Sequence, residues 1–374
     1  MMLINSYYHT FILIMLLILA NCDINDDSTM LSCLESNQQN SVSASEWTKL
    51  GNIETDLILT IKKHPCLSNT LFIGTSRNFS TGAQGKLFRS DDFGKSWDII
   101  WEGGSISQII FDRTNPNVIY ANPHGVIKST NGGGSWSQID KGLEINSELS
   151  VLSLTADPID PNRIYAGTAG FGSGWFYFSE DKGEHWTPVP GKGESENSNN
   201  DNFNLANGVS HSALLKSEKP ERIVLSTSVN SQILITEDSG LNWTLLIDED
   251  FTTDINPIAA TDSFDKILGF VQETDYTKGG ILIYDFSLET WVLNDVPDSL
   301  KQSQPHGFGI VDSEILFLCT EKGFFSKNDH LWSKLTENIS LGKIVACHIQ
   351  KNNIYIVISE SQNTNTSIYV RSFL

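Results

Sequence analysis

The sequence predicts an all-β chain of repeated four-stranded antiparallel units. Three observations carry this. An eight-residue turn motif ending in Trp recurs along the chain. Short apolar runs of strand length precede each copy. Tryptophans close successive units at Trp47, Trp97, Trp136, Trp186, Trp243, Trp291 and Trp332, at gaps of 39 to 57 residues. Four-stranded units repeated radially make a β-propeller, and these tryptophans count seven blades in one domain.

Each unit opens with an inner apolar run such as Val151 to Leu154. A second follows in Leu71-Phe72-Ile73, Val118-Ile119-Tyr120, Ile164-Tyr165-Ala166 and Ile223-Val224-Leu225. A third follows in Leu87-Phe88, Val126-Ile127, Phe176-Tyr177-Phe178 and Ile233-Leu234-Ile235. The turn motif comes next, with the pattern Ser/Thr-x-Asp/Asn-x-Gly-x-x-Trp. Its copies are Ser90, Asp92, Gly94, Trp97; then Ser129, Asn131, Gly133, Trp136; then Ser179, Asp181, Gly183, Trp186; then Thr236, Asp238, Gly240, Trp243. Degenerate copies run from Tyr284 to Trp291 and from Ser326 to Trp332. Short polar side chains bond nearby backbone N–H groups and Gly supplies a positive φ, so the motif reads as a hairpin turn. The Trp then starts a fourth strand and buries a large ring.

After Trp332 the chain offers three strands, Ile344 to Ile349, Ile354 to Ser359 and Ser367 to Arg371, and no further Trp. Val370-Arg371-Ser372 matches Phe88-Arg89-Ser90. The missing fourth strand stands at the other end as Ser45-Glu46-Trp47-Thr48-Lys49-Leu50. The N-terminal strand is therefore expected to complete the last blade, a clasp that removes an open sheet edge.

The motif resembles the Asp-box, or BNR, repeat of sialidases, xyloglucanase-type glycoside hydrolases, sortilin-type receptors and photosystem assembly propellers. The resemblance covers residues 44–374. It implies that the boxes are structural and that ligands meet the opposite face, where the blade-to-blade crossovers and the loops between second and third strands lie.

Residues 1–21 contain no Asp, Glu, Lys or Arg, and Phe11 to Ala20 is continuously apolar. That run is too short to span a bilayer but fits the apolar part of a secretory signal. It ends in Leu19-Ala20-Asn21-Cys22, which resembles a bacterial lipobox and implies a lipid on Cys22. Ordinary cleavage nearby would instead leave Cys22 as a plain thiol. Residues 22–43 are polar, with Asp23, Asp26, Asp27 and Glu35 and no Lys or Arg, and read as a tether. The expected location is the bacterial cell envelope, with membrane contact through the lipid alone. Cys33, Cys66, Cys319 and Cys347 permit disulfides in an exported chain, or buried free thiols. No CxxC spacing indicates zinc, and neither a metal nor a cofactor is expected.

With 25 Lys+Arg against 45 Asp+Glu, the 374-residue chain has a formal net charge of −20. Such a surface offers no cation cluster for nucleic acid and repels anionic lipid. A monomer binding a protein or glycan is the expected state. The irregular sequence falls on the crossover face, in Arg77 to Gly85, Gly170 to Trp175, Gly191 to Gly208 and Glu273 to Gly280. Arg77, Phe79, Phe171, Trp175, Phe203 and Tyr276 lie there and suit ring stacking or a protein contact. His211 and His306 stand near the starts of inner strands, at the channel mouth.

An enzyme is the alternative. Sialidases hold a substrate carboxylate with three arginines. Here Arg89, Arg113, Arg163, Arg222 and Arg371 fall on the box face by their strand positions, leaving Arg77. A sialidase mechanism is not expected. Xyloglucanase-type enzymes place paired carboxylates in a cleft between two propellers. Asp56, Glu148 and Asp254 are the carboxylates that could project near the channel mouth, and two at a suitable separation hydrolyse a glycoside. The sequence contains no G-x-S-x-G elbow, P-loop or HExxH.

Overall fold

Strands dominate because β-branched and aromatic residues crowd the short runs between turns. The computed structural model describes residues 46–372 apart from 56, 79, 147–148, 158–159, 170–174, 190–208, 217–218, 228–232, 247–253, 261–265, 273–278, 302, 304, 312–314, 329–330, 340–341, 351–352 and 360–364; for some strand residues only the backbone is described. Among the described residues the strands form seven four-stranded antiparallel sheets. In chain order the inner strands are Ile58–Lys63, Ile109–Phe111, Ser150–Ala156, Val209–Lys216, Asp254–Ala260, Pro305–Val311 and Lys343–Gln350. In six sheets the second, third and outer strands follow consecutively. In the seventh, Asn353–Ser359 and Asn365–Ser372 are followed by Thr48–Glu54 from the N-terminus.

Thr48–Glu54 pairs antiparallel with the last strand, from Thr48 opposite Val370 to Glu54 opposite Asn365. The strand lies further along the chain than Ser45 to Leu50, and Trp47 stands just before it. Gly51 lies within the shifted strand. A Cβ there would come within 1.9 Å of the Gly94 carbonyl oxygen, so the strand passes against the first box where only glycine fits. Trp47 also behaves as a unit-closing tryptophan. Its Nε1–H donates to the Leu335 carbonyl at 2.7 Å, just past the outer strand of the sixth sheet. Trp186 donates in the same way to Ile139, and Trp291 to Leu246, each just past the outer strand of the preceding sheet.

Apolar clusters join successive sheets. Phe72, Leu87, Ile106 and Ile119 join the first to the second. Phe317, Cys319, Phe324, Ile344 and Ile356 join the sixth to the seventh. Another cluster, with Ile58, Ile61, Leu71, Tyr355, Val357 and Val370, joins the seventh to the first. Side chains on both faces of each sheet are thus buried, which explains why the strands read as continuous apolar runs rather than alternating ones.

A register shift recurs near the start of the inner strand. It falls between Ile58 and Thr60, Val151 and Ser153, Val209 and Ala213, Ile255 and Ile258, Pro305 and Gly307, and Ile344 and Ala346. Such bulges bend a strand and redirect the extra side chain. The extra residue is Leu59, Leu152 or Val345 in three sheets but His306 in the sixth.

Candidate binding face

Antiparallel order puts the first-to-second and third-to-fourth turns at one end of every sheet, and the second-to-third turns and crossovers at the other. The repeated motif occupies the first end. In its first copy the Gly94 N–H donates to Ser90 Oγ at 2.7 Å, and Gly94 has φ 84°. Asp92 accepts from Ser90 Oγ, Lys95 N and Ser96 N at 2.8–2.9 Å, and from Ser96 Oγ at 2.6 Å. These bonds, led by the Ser96 hydroxyl, hold the Asp92 carboxyl down at about 2. Asn131, Asp181 and Asp238 accept from the backbone N–H four residues on, each at 2.9 Å. The carboxylates of the turns are occupied in backbone bonding and are not placed as general acids.

Several cations at this end have anionic partners. Arg89 pairs with Asp91 at 2.8 Å, and Arg163 and Arg222 pair with Glu180 and Glu237. The Arg222 guanidinium also lies 4.4 Å from the centre of the Phe286 ring. Lys182 reaches from the third sheet to the buried Asp112 of the second at 2.8 Å. His64 is buried there too. Its Nδ1 accepts from the N–H groups of Cys66 and Leu67, and its Nε2 lies 3.1 Å from the Pro116 carbonyl. Burial lowers its pKa to about 4, so the ring is neutral at pH 7.

The other end is irregular. Asn122, buried at the end of a second strand, accepts from Ser107 N and Gln108 N and donates to Ser107 Oγ and the Val151 carbonyl. One amide thereby fixes two crossovers. His124 beside it is exposed and holds φ 100°, a conformation that costs free energy in a non-glycine residue. Nothing in the sequence singled out His124; its Pro-His-Gly context was the available sign of a tight turn. Arg77 is exposed, with its backbone N–H donating to Ser105 Oγ at 2.9 Å.

Trp175 corrects the expectation of an exposed anchor. It is half-buried against the cluster of Val151, Leu154 and Ala166, and its N–H donates to Thr168 Oγ1 at 3.0 Å. Its ring packs against the second and third sheets. Phe79, Phe171, Phe203 and Tyr276, the carboxylates Asp56 and Glu148, and Cys22 lie outside the described residues. Asp254 begins an inner strand described by its backbone. His211 falls within the register shift of the fourth sheet, again as backbone.

His306 is the extra residue of its bulge, with Pro305 opposite Thr320 and Gly307 opposite Cys319. Its ring is hydrogen-bonded to the Ile344 backbone, and Glu321 lies close enough to act on its charge. Burial outweighs Glu321 and lowers the His306 pKa, leaving a neutral imidazole at pH 7. Among the described residues, buried His306 Nε2 and buried Glu321 Oε2 have no hydrogen-bond partner. Glu321 sits in the second-to-third turn of the sixth sheet, and the Ile344 N–H donates to its carbonyl at 3.3 Å. Two unpartnered polar atoms thus share the crossover end of the sixth and seventh sheets. Each costs free energy while unbonded, and each would gain from a ligand bearing hydrogen-bond donors.

No protein-family profile and no curated protein sequence matches this chain. Solved structures do. An ancestral GH74 enzyme aligns with TM-score 0.60 at 14% identity, covering 88% of this chain and 48% of that one. The GH74 xyloglucanase from Xanthomonas campestris gives 0.60 at 15%, covering 84% and 52%. The chain therefore spans about half the length of these enzymes. YCF48 bound to D1 peptide gives 0.56 at 15%, covering 90% of this chain and 98% of that one. At such identities the likeness establishes the fold: the chain is a β-propeller.

Proposed function

We propose that the chain is a closed seven-bladed propeller of the Asp-box type, exported and held to a bacterial envelope membrane by a lipid on Cys22, and that it binds a protein partner through its crossover face. The observation that carries this reading is the pair of unpartnered buried atoms, His306 Nε2 and Glu321 Oε2, at the crossover end. A neutral imidazole beside a carboxylate accepts hydrogen bonds from backbone N–H groups or hydroxyls. The match to peptide-bound YCF48, which spans nearly all of that protein, supports a protein partner over a glycan.

The test is capture of partners from an envelope extract on the purified chain, scored by mass spectrometry. His306→Ala combined with Glu321→Ala should lose the captured partner, while Asp92→Asn should retain it. A folded double variant that captures the same proteins equally well would overturn the reading. Retention on a glycan array would replace the protein by a glycan. Release of reducing ends from a β-glucan by the wild-type chain would replace binding by hydrolysis, with Asp56, Glu148 and Asp254 the carboxylates to substitute first.

A further inference from the structure

Between the sixth and seventh sheets two cysteines meet across an otherwise apolar interface. Cys319 lies on the second strand of the sixth sheet, Ile315–Thr320, and is buried. Cys347 lies on the inner strand of the seventh, Lys343–Gln350, and is partly buried. Both belong to the cluster formed with Phe317, Phe324 and Ile356. Both are free thiols, and their side chains are hydrogen-bonded to each other. Gly307, directly opposite Cys319, makes the approach possible. A Cβ at Gly307 would stand 3.1 Å from Cys347 Sγ, so the missing side chain leaves room for that sulfur over the inner strand of the sixth sheet.

We infer that Cys319 and Cys347 form a site of reversible disulfide formation, and that the bond staples the sixth blade to the clasped seventh. The two sulfurs are in contact before oxidation, and their strands belong to facing sheets whose core packing holds them there. A disulfide needs the sulfurs to close to about 2.05 Å, a local adjustment for thiols already hydrogen-bonded. The oxidant is an external disulfide, either small-molecule or on a dithiol oxidoreductase. Cys347 is the less buried residue of the two. Its thiolate attacks the external disulfide, forms a mixed disulfide and releases one thiolate. Cys319 then attacks Cys347 Sγ, its proton passing to the departing sulfur, which leaves as the second thiol. Two protein thiols are oxidised, one external disulfide is reduced to two thiols, and the atoms balance. Burial and the neighbouring sulfur hold the Cys319 thiol well above its usual range, so its attack is the slow step and depends on the sulfurs already being held together. Cys66 is already disulfide-bonded, so the fold accommodates an oxidised cysteine elsewhere. The inference stands on this interface alone and does not depend on the binding reading.

Treating the purified full chain with excess oxidised glutathione tests it. The protein is then denatured with N-ethylmaleimide, digested with trypsin and analysed by mass spectrometry. The expected product is the peptide of residues 302–322 disulfide-linked to that of residues 344–351, with neither cysteine alkylated. The treated protein should melt about 5 °C higher than the untreated one. Cys347→Ser, treated alike, should show neither the linkage nor the rise. Alkylation of both peptides, or separate glutathione adducts on each, would overturn the site. A linkage with an unchanged or lower melting temperature would overturn the staple.

Discussion

The two ends of the propeller solve different problems with the same residue types. At the box end, Asp92 accepts four hydrogen bonds from its own turn, and three further copies repeat the central bond at the same length. At the crossover end, Glu321 and His306 each keep a buried polar atom without a described partner, and His124 holds a costly φ. A carboxylate that closes its own turn stabilises the fold and is unavailable to a ligand. One that keeps a buried oxygen without a partner lowers stability and has bonding capacity unused. The comparison teaches that an acidic residue in a repeat protein is interpreted by where its hydrogen bonds end, not by its type.

Substitutions at the two ends should therefore separate stability from binding. The largest loss is expected for Trp47→Ala, which removes a half-buried ring and the bond to Leu335 from the clasp; about 3–4 kcal/mol should appear in denaturant unfolding. Trp47→Phe keeps the ring and should lose about 1 kcal/mol. Gly51→Ala should follow at about 2–3 kcal/mol, because its Cβ would overlap the Gly94 carbonyl. A melting curve unchanged by either substitution would remove the clasp.

Acid should act on the box end next. The carboxyls of Asp92 and Asp181 titrate at about 2 in the fold, against about 4 in an unfolded chain. A depressed carboxylate contributes stability that is complete above its unfolded value and is lost as pH falls through the folded one. Stability should accordingly decline between about pH 4 and pH 2, and the paired substitution Asp92→Asn and Asp181→Asn should flatten that decline. A slope unaltered by the pair would place the acid-sensitive groups elsewhere. The smallest effect on stability is expected at the crossover end. Glu321→Gln should leave the melting temperature within about 1 °C while weakening partner binding about tenfold, which calorimetry and titration can read together.

Much of the box end was legible because it is local. The bonds made by the Ser/Thr and Asp/Asn side chains of the motif lie within eight residues, so composition at fixed offsets specifies the turn. The clasp was legible for a related reason: Trp47 has no unit of its own at the N-terminus, while the last three strands lack a Trp. Its extent was not, since Gly51 of Thr48–Glu54 passes against the first box, a contact between residues far apart in sequence.

The crossover end resisted reading for the same physical reason. The bulge that aims His306 arises from pairing with Thr320 and Cys319 across the sheet. Glu321 reads in the sequence as an ordinary acid in a turn, and that its Oε2 is buried without a described partner is set by the packing around it. Trp175 was expected to be an exposed anchor because its segment is irregular and lies on the crossover face; the ring packs on apolar partners of the second and third sheets instead. The cysteines divided in a way that composition left open, with Cys66 in a disulfide and Cys319 beside Cys347 as free thiols.

The division of labour between the two ends is tested most directly by hydrogen–deuterium exchange of the chain with and without its captured partner. Protection is expected in peptides containing His306, Glu321 and Ile344, with the turns at Ser90 to Trp97 and Ser179 to Trp186 unchanged. Protection confined to those turns, with the His306 and Glu321 peptides exchanging as before, would contradict the account.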